Sequence, residues 1–202
     1  LIDFSHQVEW PVCWYALDPL DQDLFRFAAY LISSLQVRFP GFGSSALQTL
    51  ENLSQEQPNL DLLVAAIVND AYEHIDEHFI LVLDDFHLVD SSKPVNQFIN
   101  RFLQDMDENC HIITASRTLL TLPDLPLMVA RSQVGGLSFE ELAFLPAEIQ
   151  GFFLQNQHVA IPDSQAEDLA RQSEGWITGL LLSAHMAGQE MADRLRTARV
   201  SG

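Results

Sequence analysis

Phe79-Ile80-Leu81-Val82-Leu83 is a run of five apolar residues that stops abruptly at Asp84-Asp85. A run this short, with no polar position inside it, predicts a strand covered on both faces, as inner strands of helix-flanked parallel sheets are. Cys110-His111-Ile112-Ile113-Thr114-Ala115-Ser116-Arg117 again passes from apolar to polar residues. A helix over 96–105 between the two completes a strand–helix–strand unit. Upstream, residues 12–17 predict a strand closed by Asp18-Pro19, and residues 21–37 a helix with Leu24, Phe27, Ala28, Leu31, Ile32 and Leu35 on one face. A Gly/Pro-punctuated loop over 40–45 leads to helices over 46–53 and 60–76, and residues 1–7 have the spacing of a helix tail. Residues 128–130 with 134–137 predict a last strand. From Ser138 onward the pattern is helical only: 146–156, with Pro146 in its first turn, 164–173, with Asp163 as N-cap, 176–187 and 189–199. The expected fold is α/β, a doubly wound parallel sheet over 1–138 followed by an all-helical subdomain over 139–202.

This alternation places chemistry at one edge. In open α/β sheets ligands bind beyond the C-terminal ends of the strands, where a carboxylate is well placed to hold a hydrated Mg²⁺ carrying a nucleotide's phosphates. Asp84 and Asp85 end their strand there in the manner of a Walker B motif. Thr114, Ser116 and Arg117 emerge beside them, the arginine positioned to sense or neutralise a terminal phosphate. A phosphate-cradling loop requires G-x-x-x-x-G-K-S/T. The chain has one lysine, Lys93, in Ser91-Ser92-Lys93-Pro94, and its glycine-rich spot, Pro40-Gly41-Phe42-Gly43, has none.

With 202 residues and 48% hydrophobic content the chain can bury a substantial core. A formal net charge of −18 argues against this segment itself gripping nucleic acid, which is bound largely through Lys and Arg. Cys13 and Cys110 lie inside apolar runs, without metal-site or redox-motif spacing, and read as buried reduced thiols. No apolar run reaches membrane-spanning length and no signal peptide is visible, so the expected compartment is the cytoplasm and no membrane partner is expected. His74 and His78 are four apart on an expected helix, but His-Ile-Asp-Glu-His is not H-E-x-x-H, and a solvated helix end is the simpler reading. No G-x-S-x-G nucleophile elbow is present. His87 reads as packing at a strand end, and Trp176, Leu180, Leu181 and Ala184 as a core-packing stripe.

Five segments, VCWYALDPLDQDLFRFAAYLISSL, ILVLDDFHLVD, HIITASRT followed by LPDLPL, LSFEELAFLPAEIQGFF and EGWITGLLLSA, run in an order that resembles the ATP-binding regulators related to MalT and the large LuxR-type transcription factors, in the STAND class of P-loop NTPases. The resemblance implies that a strand and a Walker A loop precede Leu1. It implies that the missing strand lies beside the one ending in Arg117. It further implies ATP and Mg²⁺ as cofactors, with Asp84 holding the metal, Asp85 positioning the attacking water and Arg117 sensing the terminal phosphate. Gly175 and Trp176 match the family's helical-lid motif near the nucleotide, without the proline many relatives have there. The implied function is a slow-hydrolysing switch responsive to a small-molecule or protein inducer, with self-association possible and DNA contacted only through a region C-terminal to residue 202. Two competing expectations are a degenerate NTPase-fold interaction domain without nucleotide chemistry and an AAA+-like motor, which would form hexamers.

Overall fold

The computed structural model describes residues 1–182. The helix expected over 189–199 and the end of the one expected from 176 lie outside the described residues. The chain divides into two compact units, Leu1–Val134 and a second beginning at Gly135.

The first unit is built on a parallel sheet in the order β1 (Val12–Ala16), β2 (Phe79–Asp84), β3 (Cys110–Thr114). Trp14 pairs with Val82 and Leu81 with Ile112 in register. Strand β2 is central, and its five apolar residues are all buried, on both faces, as their uninterrupted run requires. Alternation sends Phe79, Leu81 and Leu83, with Cys13 and Tyr15 of β1, into the main core. That core is shared by α2 (Leu24–Gln36), α3 (Ser44–Asn52), α4 (Leu60–His74) and α5 (Lys93–Asp105). Helix α2 buries the six apolar residues that its periodicity singled out. A short exposed helix, α1 (Ile2–Gln7), precedes β1. Asp23 caps α2 by accepting from the Arg26 amide at 2.8 Å, and Asn59 caps α4 by accepting from that of Leu62 at 3.1 Å. Lys93 falls in the first turn of α5, directly before Pro94.

The glycine-rich spot is a turn into α3. Gly43 has φ +98°, and a Cβ there would meet the side chains of Gln36 at 2.7 Å and Ile32 at 2.8 Å. Buried Asp70 of α4 lends one carboxylate oxygen to the amides of Gly43 and Ala46, at 3.0 and 3.1 Å. Its other oxygen meets His74 Nδ1 at 3.0 Å. A carboxylate from a neighbouring helix thus satisfies amides that the start of α3 leaves open.

The last strand expected over 128–137 does not form. Asp124 and Pro126 begin a helix, α6 (Leu125–Ala130), and residues 134–137 have no regular structure. Among the described residues no strand pairs with the outer edge of β3, and the segment 128–130 does not take that place. Its backbone closes locally instead, with Met128 N–H donating to Asp124 and Arg131 N–H to Leu127.

The second unit comprises α7 (Phe139–Leu142), α8 (Pro146–Gln157), α9 (Asp163–Ser173) and a helical stretch over 177–182, around a core of Ile149, Phe153, Ile161, Ala166 and Leu180. Pro146 opens α8 as expected. Asp163 is the first helical residue of α9, not its N-cap. The Pro162 carbonyl accepts from the amides of Gln165 and Ala166, and the Asp163 carboxylate accepts from Gln150 at 2.8 Å. Among the described residues no helix is long and apolar enough to cross a membrane.

Two expected outcomes follow from the packing of the first unit. Asp70→Ala strands two buried amides and lowers the unfolding free energy by about 2–3 kcal/mol in urea titration, Asp70→Asn by less, because an acceptor oxygen remains. The thiols of Cys13 and Cys110 are both pushed up to about 12, chiefly by burial. In the native protein at pH 8 they react with a disulfide reagent far more slowly than in the denatured chain. Because both folded values lie above the unfolded ones, the stability they contribute is intact below about pH 8.5 and is lost as pH rises toward 12.

Candidate functional site

Strand β2 ends because Phe86, only 1% exposed, has to turn back into the core two residues after Asp84. The reversal is made at Asp85, which adopts φ 56°, ψ 38°, a left-handed conformation that Asp tolerates better than most residues. The Asp85 amide donates to Asp84 Oδ1 at 3.0 Å, so the two carboxylates are held apart by a backbone bond. The Asp84 carbonyl accepts from the Leu17 amide at 3.1 Å, extending the ladder to β1. On the other side the Ala115 amide donates to the Leu83 carbonyl and the Phe86 amide to the Ala115 carbonyl, each at 2.9 Å.

Because β2 and β3 are parallel neighbours, their C-terminal ends share an edge. Thr114 stands opposite Leu83 in the register, one position before Asp84, and Ser116 and Arg117 follow into the loop. Asp84 and Asp85 are half-buried, Thr114 is half-buried, and Ser116 and Arg117 are exposed. Among the described residues no carboxylate lies within ion-pair distance of Arg117. Thus five of the residues singled out from sequence are brought to one edge. Gly175 and Trp176 belong to the second unit. There Gly175 has φ +74°, and an added Cβ would sit 2.7 Å from that of Ala143; its carbonyl accepts from the Phe144 amide at 2.9 Å. Trp176 leans on Phe139, ring centres 5.4 Å apart, and is 56% exposed, whereas Leu180 of the same stripe is fully buried. Ala184 lies outside the described residues.

Several groups at the edge were not read as site residues from the sequence. Asp90 accepts from Thr118 Oγ1 at 2.7 Å, tying the loop after β3 to the loop after β2. Asn96 donates to the Asp90 carbonyl at 2.6 Å, and Ser92 Oγ to the Gln22 carbonyl at 2.7 Å. His87 is the most informative. Its Nδ1 is buried without a hydrogen-bond partner, a condition that costs about 1–3 kcal/mol, and Asp85 Oδ1 lies 3.8 Å away. The only sequence signal for it was proximity to the carboxylates in Asp84-Asp85-Phe86-His87.

The opposite end of the sheet is built differently. Trp10 stacks on His78 and His111, and His78 Nδ1 lies 3.1 Å from His111 Nε2. Helix α4 stops at His74, so His74 and His78 never share a helix face, and His74 pairs with Asp70 instead. A concavity of about 650 Å³ there is lined by Tyr72, Asp76, His78, Asp105, Glu108 and Asn109 among others, and by none of the residues at the carboxylate edge.

As a donor set for Mg²⁺ the carboxylate edge is chemically suitable. Mg²⁺ takes one or two carboxylates and completes its shell with water and phosphate oxygens. Among the described residues there is no cluster of three or more His, Cys, Asp or Glu side chains, of the kind a fully protein-bound metal would need.

No protein-family model matches the chain. It is similar to the HTH-type transcriptional regulator MalT of Yersinia pestis and of Yersinia pseudotuberculosis, 32% identical over 188 residues in each case. The protein of the same name from Yersinia enterocolitica is also 32% identical over 188 residues. Each alignment takes in 92% of this chain but only 20% of the relative's length. Over the segment it spans the chain is MalT-like, as its five ordered segments implied.

Proposed function

We propose that this chain is part of the nucleotide-binding module of a signal-responsive transcriptional regulator of the STAND type, with ATP and Mg²⁺ as its ligands. The observation that carries the reading is the juxtaposition at the sheet edge: Asp84 and Asp85 at the end of β2 beside Thr114, Ser116 and Arg117 at the end of β3, with both loops cross-tied by hydrogen bonds. The similarity to MalT proteins, which are named as transcriptional regulators, supports the assignment to regulation.

In this reading Asp84 holds Mg²⁺ through its half-buried carboxylate. Asp85, pushed toward solvent by its left-handed backbone, orients a water molecule and receives its proton. Arg117 reaches the terminal phosphate as a planar, permanently charged donor, and the hydroxyls of Thr114 and Ser116 lend hydrogen bonds. Bound Mg²⁺ supplies charge neutralisation at the phosphoryl oxygens. Gly175 and Trp176 belong to a helical lid whose position responds to nucleotide. Binding energy is used to favour one arrangement of sheet and lid, and an inducer biases the same equilibrium, so turnover is slow. The phosphate-loop lysine and amides are contributed from outside these residues, and DNA is contacted by a separate, more basic region. The compartment is the cytoplasm.

Two measurements test this. In the full-length regulator Asp84→Ala and Asp85→Ala abolish the ATP-dependent step of its response, read as ATP-stimulated DNA binding or transcription in vitro; an unchanged response to ATP in both variants refutes the assignment. The isolated 202-residue chain shows no micromolar heat of ATP binding by calorimetry with Mg²⁺ present, whereas the full-length protein does.

A further inference from the structure

We propose that His87 is a positioning residue for Asp85: its Nδ1–H takes up the Asp85 carboxylate when the site is engaged and fixes the orientation in which that carboxylate addresses water. The proposal rests on the nucleotide reading above and adds to it a residue that neither the carboxylate motif nor the similarity to MalT assigns.

The starting point is an unsatisfied atom. His87 Nδ1 is shielded from solvent and has no hydrogen-bond partner among the described residues. Buried polar groups in native structures are rarely left this way, and each exception calls for an explanation, a catalytic role or an absent partner among them. The nearest carboxylate oxygen, Asp85 Oδ1, is 3.8 Å away, about 1 Å beyond a charge-assisted hydrogen bond. Catalytic hydrogen bonds are often too long before substrate binds and tighten in the complex.

The surroundings decide which partner moves. The backbone that carries both residues is fixed: Phe86 N–H donates to Ala115, Leu88 N–H to Asp85, and Val89 N–H to Phe86, all between 2.9 and 3.0 Å. The Leu88 carbonyl also accepts from Gln22 at 2.9 Å. The imidazole is 17% exposed and packed, while the Asp85 side chain is 50% exposed and accepts no hydrogen bond among the described residues. Rotation of the Asp85 carboxylate therefore closes the gap. With Nδ1 as donor, one carboxylate oxygen is committed to His87 and the other is left to face water. Asp84 is already oriented through the Asp85 amide, so the pair differentiates two adjacent carboxylates into one that holds a cation and one that is steered.

The experiment is ATP hydrolysis and ATP binding by the full-length regulator and its variants His87→Ala, His87→Asn and Asp85→Asn, with thermal unfolding recorded for each. Asn places an N–H donor close to the position of Nδ1, so it conserves the hydrogen bond without the ring. The expected result is that His87→Ala lowers kcat by about 10-fold or more. Its KM and its affinity for ATP stay within about twofold of wild type, and His87→Asn recovers most of the loss. Full activity in His87→Ala while Asp85→Asn is inactive overturns the positioning role and leaves the nucleotide reading standing. Equal loss in the Ala and Asn variants, accompanied by a drop in unfolding temperature, also overturns it, because the residue is then only packing. If wild type binds ATP without hydrolysing it, no water is being oriented and the proposal fails. Absence of ATP binding by wild type removes the nucleotide reading itself.

Discussion

The double-sided burial of β2 is the constraint on which the rest depends. Five consecutive apolar side chains can all be shielded only if the strand is central, with neighbours on both edges to take its backbone donors and acceptors and with cover on each face. This fixes β1 and β3 as its partners and, through their alternation, chooses which side chains of each enter the helix-covered core. It also fixes where the strand must stop. Phe86 belongs to that same core, and the chain reaches it only by reversing at Asp85. The two carboxylates therefore stand at the sheet's edge because the apolar residues on either side of them leave no alternative path.

What could be read from the sequence was whatever a local apolar period encodes. Strand β2 and helix α2 with its six buried residues are each specified by residues within one element. The expected strand over 128–137 was misread: Val129 and Val134 suit a strand, but Asp124 and Pro126 start a helical turn in which Met128 N–H closes on Asp124 and Arg131 N–H on Leu127. Asp163 was misassigned by a single position because Asp serves equally well as an N-cap or in the first turn, and it was Gln150 of α8, thirteen positions away, that claimed its carboxylate.

At the candidate site the same division holds. The sequence identified carboxylates and hydroxyls at two strand ends, and topology brought them together because parallel neighbours share an edge. It could not identify His87, Asp90, Asn96 or Thr118. Their significance lies in which atom is satisfied and by what, and a one-dimensional pattern does not record that. The mutual stacking of Trp10, His78 and His111 was likewise invisible until the strands were in register.

A chain with a formal charge of −18 has carboxylates everywhere, so acidity alone singles out no site. Among the acids that the fold anchors in its core or at its strand ends, the distinction lies in how much of each carboxylate's accepting capacity is already used. Asp70 takes two amides on one carboxylate oxygen and has His74 Nδ1, which bonds the Asp70 carbonyl at 2.8 Å, 3.0 Å from the other; Asp21, equally buried, takes the Asp18 amide at 2.8 Å and the Arg26 guanidinium at 2.7 Å. These are structural acids, saturated by the protein. Asp84 accepts one amide, from its own neighbour, and Asp85 accepts no hydrogen bond among the described residues, although both stand where two strands run out. Carboxylates carried by a fixed backbone with lone pairs to spare, beside an arginine that pairs with no acid among the described residues, form a set whose charges are complementary to a ligand carrying both signs. A metal-bound phosphate is such a ligand, and this unspent capacity, more than the motif that first drew attention to it, is the physical content of the site.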